Sequence, residues 1–237
     1  MALTENALVW AYIGDVNAPN PWTPGANTVV YYPLTSTTTV NDQSGNNHHL
    51  TNNNDLVTFW INAWVNCANF GTPWASTHNL YYTNPTFLPS WNASRTMSIW
   101  AYSTRTSLHD SMMFFWWERS SYKLCSLFFH TWVYFAGYSA DTSQYTFTTN
   151  TWHNVVATYD GSIVRLYLDG AQMGTKTTTL NTTTPKFWIG WGGTSPYYAS
   201  NHYRDGYLSE CIVEDVVRTA QEVADYYDDT KAIYGIS

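Results

Sequence analysis

Two acidic residues near the C-terminal end of the sequence have a spacing that could support sugar chemistry. Glu210 and Glu214 are four positions apart, so on a β-strand both side chains would lie on one face. A retaining glycoside hydrolase uses two such carboxylates, about 5–5.5 Å apart. Between them on that face is Ile212, and an apolar side chain there cannot orient or tune a nucleophile. We therefore expect Glu210 and Glu214 to be solvated surface carboxylates and the chain to be no enzyme.

Other residue types that perform catalysis or bind metals lack the required spacing. The 7 histidines form no HxH or HExxH pattern, and Ser44-Gly45 has no GxSxG context. The cysteines are Cys67, Cys125 and Cys211, an odd number without a CxxC pair. We expect buried free thiols in a protein made in a reducing cytoplasm. Apart from the ion considered next, no cofactor is predicted.

A bound Ca²⁺ ion is one of two interpretations of the polar segment at residues 41–46. The carboxylate of Asp42 and the oxygens of its neighbours are the hard ligands that Ca²⁺ prefers. The alternative is that Asp42 and Asn46 only close a turn, through hydrogen bonds between side chain and backbone. The sequence leaves both interpretations open.

Residues 60–91 combine many aromatic side chains with Asn, Thr and Pro, and a second aromatic group follows at residues 191–198. Binding sites for small ligands combine such rings with a few polar groups, and a sugar ring can stack on an aromatic face. The candidate glycan-binding residues are Trp64, Trp74, Tyr81, Tyr82, Trp191 and Tyr197. The alternative is that most of these rings belong to the core or to protein interfaces.

The composition excludes several classes of protein. Of 237 residues, 11% are charged and 18% are aromatic, and the net charge is −7. Disordered chains contain few aromatic residues, and nucleic-acid-binding domains have a basic surface. No run of about 18 apolar residues is present, so we expect no membrane-spanning helix. Because the net charge is negative, we expect no nucleic-acid binding. The abundance of Tyr, Trp, Phe and Thr favours β-strands.

Strand and turn patterns occupy the chain from Thr28 onward. Short apolar runs alternate with turn residues, and Asp160-Gly161 and Asp169-Gly170 separate such runs as in β-hairpins. One short helix is predicted near the end, because residues 219–222 form a capping-box pattern before an apolar helical face. These patterns indicate an all-β domain over residues 28–237.

Several motifs occur in an order that is similar to one known family. They are V-Y-Y-P-L at 30–34, D-Q-S-G-N at 42–46, T-M-S-I-W at 96–100, W-H-N-V-V-A-T-Y-D-G at 152–161 and L-Y-L-D-G at 166–170. Over about residues 29–228 the chain resembles the laminin-G-like, concanavalin A-like jelly-roll domains of the lectin/glucanase superfamily. The resemblance implies a jelly-roll sandwich of two antiparallel sheets with one short C-terminal helix. It also implies a calcium ion at the rim of the sandwich and glycan binding.

Residues 1–27 have no counterpart in that family and are predicted to be an N-terminal docking arm. An apolar tip precedes a stiff spacer rich in proline. The side chains predicted to dock are Trp10, Tyr12, Ile13 and Trp22. The alternative is that residues 8–13 fold back as an extra strand of the domain's own sheet. Because residues 1–94 contain no Lys or Arg, we expect no secretory signal.

Three classes of function agree with these observations. We favour a non-enzymatic structural or adhesion protein of a virion: a bacteriophage tail protein, fibre head or capsid decoration protein, made in the host cytoplasm. Its arm would contact other virion proteins, its domain could bind cell-surface glycans, and it would be an oligomer. Low charge and many aromatic residues suit such interfaces. The alternatives are a free carbohydrate-binding module and, less favoured, a glycoside hydrolase.

Overall fold

The computed structural model describes residues 22–36, 40–70, 78–104, 112–116, 122–129, 132–184, 186–190 and 206–237, and strands account for 46% of this part. In chain order the strands are β1 (Thr28–Tyr32), β2 (Thr51–Asn52), β3 (Thr58–Asn62), β4 (Val65–Asn69), β5 (Leu80–Thr83), β6 (Arg95–Ser103), β7 (Met112–Trp116), β8 (Cys125–Phe129), β9 (Val133–Ala136), β10 (Trp152–Tyr159), β11 (Ile163–Leu168), β12 (Ala171–Thr177), β13 (Lys186–Ile189) and β14 (Gly206–Glu214). One α-helix, α1 (Ala220–Thr230), and two short 3-10 helices, Asn53–Asp55 and Lys231–Tyr234, complete the described elements.

The strands form two antiparallel sheets that pack face to face. The first sheet has the order β12-β11-β10-β6-β14-β4-β3, and β1 also pairs with β14. The second sheet has the order β2-β5-β13-β7-β8-β9. The prediction of an all-β jelly-roll sandwich with one short C-terminal helix is confirmed.

Local turn and capping signals form as the sequence predicts. In the β10–β11 hairpin, Asp160 Oδ1 accepts hydrogen bonds from the backbone N–H groups of Ser162 and Ile163, and Gly161 has a φ of 95°. The Thr219 hydroxyl caps α1 by accepting from the N–H of Glu222, whose carboxylate accepts from the N–H of Thr219 in return. This capping box satisfies N–H groups at the start of α1 that no helical carbonyl can reach.

Strand β14 lies at the centre of the first sheet and changes partner along one edge. Its first residues pair with β4, and its later residues pair with β1. Strand β6 pairs along the other edge, where the register shifts between Ser209 and Ile212. Glu210 lies in this bulge with a φ of 50°, a left-handed conformation that is uncommon outside glycine.

The central strands β6, β10 and β14 of the first sheet are buried on both faces, since α1 and the C-terminal residues cover their outer face. Of six buried residues in β6, β10, β11 and β13, three, namely Leu166, Leu168 and Ile189, lie between the sheets. The other three, Trp100, Trp152 and Val156, belong to clusters that contain side chains of α1 or the C-terminal 3-10 helix. Alternation along β6 and β10 cannot distinguish the two faces, because both are apolar.

The three cysteines are buried free thiols, as predicted. Burial raises the pKa of Cys67 to about 12 and that of Cys125 to about 11, so neither is a nucleophile at neutral pH. No helix in the described part of the chain combines the length and apolar character needed to span a membrane.

We expect Trp152→Ala to lower the free energy of unfolding by about 3–5 kcal/mol, because it leaves a cavity under the C-terminal residues. The indole is 1% exposed and its centroid lies 5.1 Å from the ring of Tyr234. Chemical denaturation measures the change. As a control, Trp91→Ala removes an indole that is 62% exposed and should change stability far less. A loss below about 1 kcal/mol for Trp152→Ala would contradict this packing.

Candidate functional site

The β3–β4 hairpin presents tryptophan side chains to solvent. Asn62 pairs with Val65, so the connecting turn consists of Ala63 and Trp64 alone. Their φ angles are 46° and 74°, the left-handed pair that a type I′ turn requires and that Asn-Gly usually supplies. Trp64 is nevertheless 69% exposed at the tip of this turn. Its large side chain is held in a conformation that costs energy, away from the core.

Trp60 provides a second exposed indole on the same hairpin. It is 58% exposed, and its Nε1 donates a 2.8 Å hydrogen bond to Thr58 Oγ1, which orients the ring along the strand. Thr58 pairs with Asn69, and Asn69 pairs with Tyr207 across β4 and β14. Directly paired residues share a face of the sheet, so Thr58, Asn69 and Tyr207 form one row, and Trp60, which pairs with Cys67, lies in the next row of the same face.

The hairpin and the residues that follow it in the sequence carry no formal charge. Residues 56–94 contain no Asp, Glu, Lys or Arg. The groups available to a ligand here are aromatic faces, amides and hydroxyls. Such groups can bind a polar but uncharged ligand without a charge left unpaired.

The predicted glycan-binding residues that the structure describes lie in three places. Trp64 is at the hairpin tip, whereas Tyr81 lies on the outer face of the second sheet, paired with Trp188. Tyr82 points the other way, into an aromatic group with His48 and Phe87. Trp74, Trp191 and Tyr197 lie outside the described residues. The sequence analysis did not select Trp60 as a candidate. The signal available for it was its position two residues after Thr58, in a short strand without charged residues.

Asp42 is buried in a turn that its own carboxylate organises. Oδ1 accepts hydrogen bonds from the N–H groups of Tyr31 and Ser44, at 3.0 and 2.9 Å. Oδ2 accepts from the Ser44 hydroxyl and from the N–H of His48. These hydrogen bonds are the ones that the turn interpretation predicts for Asp42. Binding of a Ca²⁺ ion by Asp42 stays a prediction. Within the described residues, no three His, Cys, Asp or Glu side chains form a group that could hold a metal ion.

Trp22, the last aromatic residue of the predicted arm, packs on this chain's own domain. Its ring lies edge-on to Tyr31 at 4.9 Å between centroids, and the Arg218 guanidinium lies 5.7 Å from its ring. Trp10, Tyr12 and Ile13 lie outside the described residues, so their docking stays a prediction. These contacts hold Trp22 against β1 and against Arg218, just before the start of α1.

The expectation that Glu210 and Glu214 are solvated is wrong. They are only 4% and 6% exposed, because β1, α1 and the C-terminal residues fold over this part of β14. Glu214 is paired with Arg218, whose Nη2 donates a 2.8 Å hydrogen bond to Oε1. Glu210 instead faces phenols: the hydroxyls of Tyr226 and Tyr31 donate to it at 2.7 and 3.5 Å. Burial raises the pKa of Glu210 to about 7, although these hydrogen bonds oppose the shift.

The sequence comparison defines the class of protein. Residues 41–224 match the family described as the concanavalin A-like lectin/glucanases superfamily, so the chain belongs to that superfamily. The resemblance found in the sequence motifs is thereby confirmed. A comparison with curated proteins finds no match.

Several solved structures have the same fold. Domain 4 of AbnA, a GH43 extracellular arabinanase from Geobacillus stearothermophilus, in complex with arabinotriose, is 17% identical with a TM-score of 0.63, covering 85% of this chain and 98% of that one. The binding domain of Paraclostridial Mosquitocidal Protein 1 is 12% identical with a TM-score of 0.67, covering 85% and 52%. The binding domain of Botulinum Neurotoxin DC in complex with SialylT is 10% identical with a TM-score of 0.63, covering 86% and 52%. This chain spans about half the length of the two toxin domains. At these identities the likeness shows the fold alone.

Glu210 should make stability depend on pH. Its pKa of about 7 in the fold exceeds the ordinary value of 4.5, so the folded chain holds a proton that the unfolded chain releases between these values. The free energy of unfolding should therefore fall as pH rises from about 4.5 to about 7, by about 3 kcal/mol from this group, and change no further above it.

Glu210→Gln, which cannot ionise, should remove that part of the pH dependence. Chemical denaturation at several pH values gives the difference between variant and wild type. The matched control, Asp215→Asn, changes an exposed carboxylate and should leave the slope unchanged. A difference between Glu210→Gln and wild type that stays constant from pH 4.5 to 7 would contradict the buried, uncharged carboxyl.

Proposed function

We propose that this chain is a non-enzymatic carbohydrate-binding domain that holds a sugar against the exposed indoles of the β3–β4 hairpin. One observation carries the proposal: the β3–β4 hairpin presents two exposed indoles, Trp60 at 58% and Trp64 at 69%, and Trp64 stands in a two-residue turn at a φ of 74°. A bulky side chain at positive φ is uncommon, and strained backbone of this kind is concentrated at functional sites.

The chemistry around the hairpin supports a sugar ligand. The apolar face of a pyranose or furanose ring can stack on an indole, and its hydroxyls need hydrogen-bonding partners at the ring's edge. Trp60 provides a second indole, and Asn69 and Tyr207 lie in the neighbouring row of the same sheet face. Because residues 56–94 contain no formal charge, the site favours neutral sugars over sialylated or uronic ones.

The superfamily supports the same class of ligand. A solved domain of this fold is bound to arabinotriose, a neutral oligosaccharide. The buried state of Glu210 and Glu214 argues against the hydrolase alternative, since Glu210 is enclosed by phenols and Glu214 is paired with Arg218. A pair of hydrolytic carboxylates must reach the glycosidic bond.

Trp64→Ala and Trp60→Ala should each weaken binding of a neutral oligosaccharide by about tenfold or more, because each removes a stacking surface. A glycan array identifies the ligand, and titration calorimetry then measures its affinity. Trp91→Ala, another exposed indole outside the hairpin, is the control and should bind as wild type does. Unchanged binding in both hairpin variants would place the sugar elsewhere, for example at Tyr81 and Trp188.

Trp64→Gly separates binding from stability. Glycine adopts positive φ without steric cost, so we expect this variant to be more stable by about 0.5–1 kcal/mol while it loses sugar binding. Thermal unfolding and calorimetry on the same sample test both expectations. A loss of stability would show that the Trp64 side chain contributes to folding, and the functional argument from strain would fail.

We further propose that the domain acts as an adhesion or decoration protein of a virion rather than as a free carbohydrate-binding module. The low charge and 18% aromatic content of the chain support this setting. So does a segment rich in apolar residues that joins the domain at Trp22. A mass-spectrometric inventory of purified particles should contain the chain. Deletion of residues 1–21 should remove it from particles without lowering its melting temperature. A chain that is absent from particles would favour the free module.

A further inference from the structure

Strand β3 ends the first sheet without the features that protect an edge. Within the described part of the chain, β4 is its only partner. Trp60 and Ile61 are 58% and 57% exposed. The strand contains no charged residue, proline or glycine, and its register with β4 is continuous. Exposed apolar edge strands of this kind are templates for pairing with another strand.

The other sheet edges among the described residues are protected. Among these, strand β1 pairs only with β14, and its other edge is covered by residues 42–43, since the Tyr31 N–H donates to Asp42 Oδ1 and the Gln43 N–H donates to the Tyr31 carbonyl. Strand β12, at the opposite end of the first sheet, carries Lys176 and has a bulge in its pairing with β11. In the second sheet, β2 is two residues long. Strand β9 is buried along its length, and Val133 also bridges to Tyr145. Charge, bulges, short length and coverage are the usual ways to block an edge, so the lack of them in β3 stands out.

The sequence of β3 is complementary to itself in the antiparallel direction. With a two-fold axis at Trp60, Thr58 lies opposite Asn62 of the second copy and Phe59 lies opposite Ile61. Trp60 then lies opposite its own copy. Polar residues face polar ones, apolar residues face apolar ones, and no like charges meet. Asn62 Nδ2, buried without a hydrogen-bond partner among the described residues, would lie opposite the Thr58 hydroxyl.

The backbone of β3 has the orientation that this pairing needs. In a two-residue hairpin the residues next to the turn form a hydrogen-bonded pair, so Asn62, Trp60 and Thr58 direct their N–H and C=O groups toward β4. The alternate residues, Phe59 and Ile61, therefore direct theirs away from β4. These are the two residues that would exchange hydrogen bonds across the two-fold axis.

We propose that two copies of this chain associate through antiparallel pairing of their β3 strands, centred on Trp60, to join their first sheets into one. The partner is a second copy because the strand is self-complementary in polarity and backbone direction about one axis, as a closed two-fold interface requires. The interface does not depend on the proposed sugar binding. It places the two Trp60 side chains next to each other on one face.

Ile61→Pro is the sharpest test. Proline removes the outward N–H of Ile61 but none of the hydrogen bonds between β3 and β4. Ile61→Lys adds a charge to the same edge and is a second, independent block. Trp64→Lys, at the exposed tip outside the strand, is the control. Sedimentation equilibrium over a range from micromolar to millimolar concentration measures association of the 27.1 kDa chain.

Wild type and Trp64→Lys should form dimers, and both Ile61 variants should associate at least about tenfold more weakly with circular dichroism unchanged. An isotope-filtered NMR experiment should show a contact between the Hα atoms of the two Trp60 residues. A wild type that stays monomeric at millimolar concentration would overturn the proposal. So would dimers that both Ile61 variants leave intact. Ile61→Pro should still bind the oligosaccharide, so failure of the dimer and failure of sugar binding are distinguishable.

Discussion

The bulge at Glu210 is the constraint on which the arrangement of the first sheet depends. One edge of β14 is shared, first by β4 and then by β1, and the bulge against β6 on the other edge lies where this partner changes. The same bulge directs the Glu210 carboxyl to a position where phenols from β1 and α1 donate to it. The bulge in β14 therefore positions three elements: strand β1, the β3–β4 hairpin with Trp60 and Trp64, and helix α1.

A second buried polar group joins the two sheets at their rim. The guanidinium of Arg95, 1% exposed, donates to the carbonyls of Ala93 and Trp91 and to the Thr182 hydroxyl. It also lies within 6 Å of the rings of Trp116 and Tyr159, at 5.8 and 5.4 Å. Carbonyl dipoles and aromatic faces thus stabilise the positive charge of the Arg95 guanidinium. In the described part of the chain, no carboxylate forms an ion pair with it. Like Glu210, Arg95 has its hydrogen-bonding needs met by neutral groups.

The sequence predicted those features that local chemistry determines. The hairpin at Asp160-Gly161 and the capping box at Thr219 depend on residues a few positions apart, and the motifs identified the jelly-roll fold. The burial of Glu210 could not be predicted, because it results from Tyr31 and Tyr226 folding over β14 from distant parts of the chain. The turn at Ala63-Trp64 escaped prediction for a different reason: it lacks the glycine or asparagine that marks such turns. Among 42 aromatic residues by count, only the three-dimensional structure separates Trp64 on the surface from Trp100 in the interior.

The pairing of β1 with β14 has a consequence for how the chain is made. Tyr31 and Glu210 are 179 positions apart, so the first sheet cannot close until β14 has been synthesised. Contacts that span such distances in sequence slow folding, because a long loop must close before they form. Until then, β4 and β6 have unpaired backbone groups and apolar side chains accessible to other nascent chains. A chain that ends before β14 would lack its central strand and would be a substrate for chaperones and proteases.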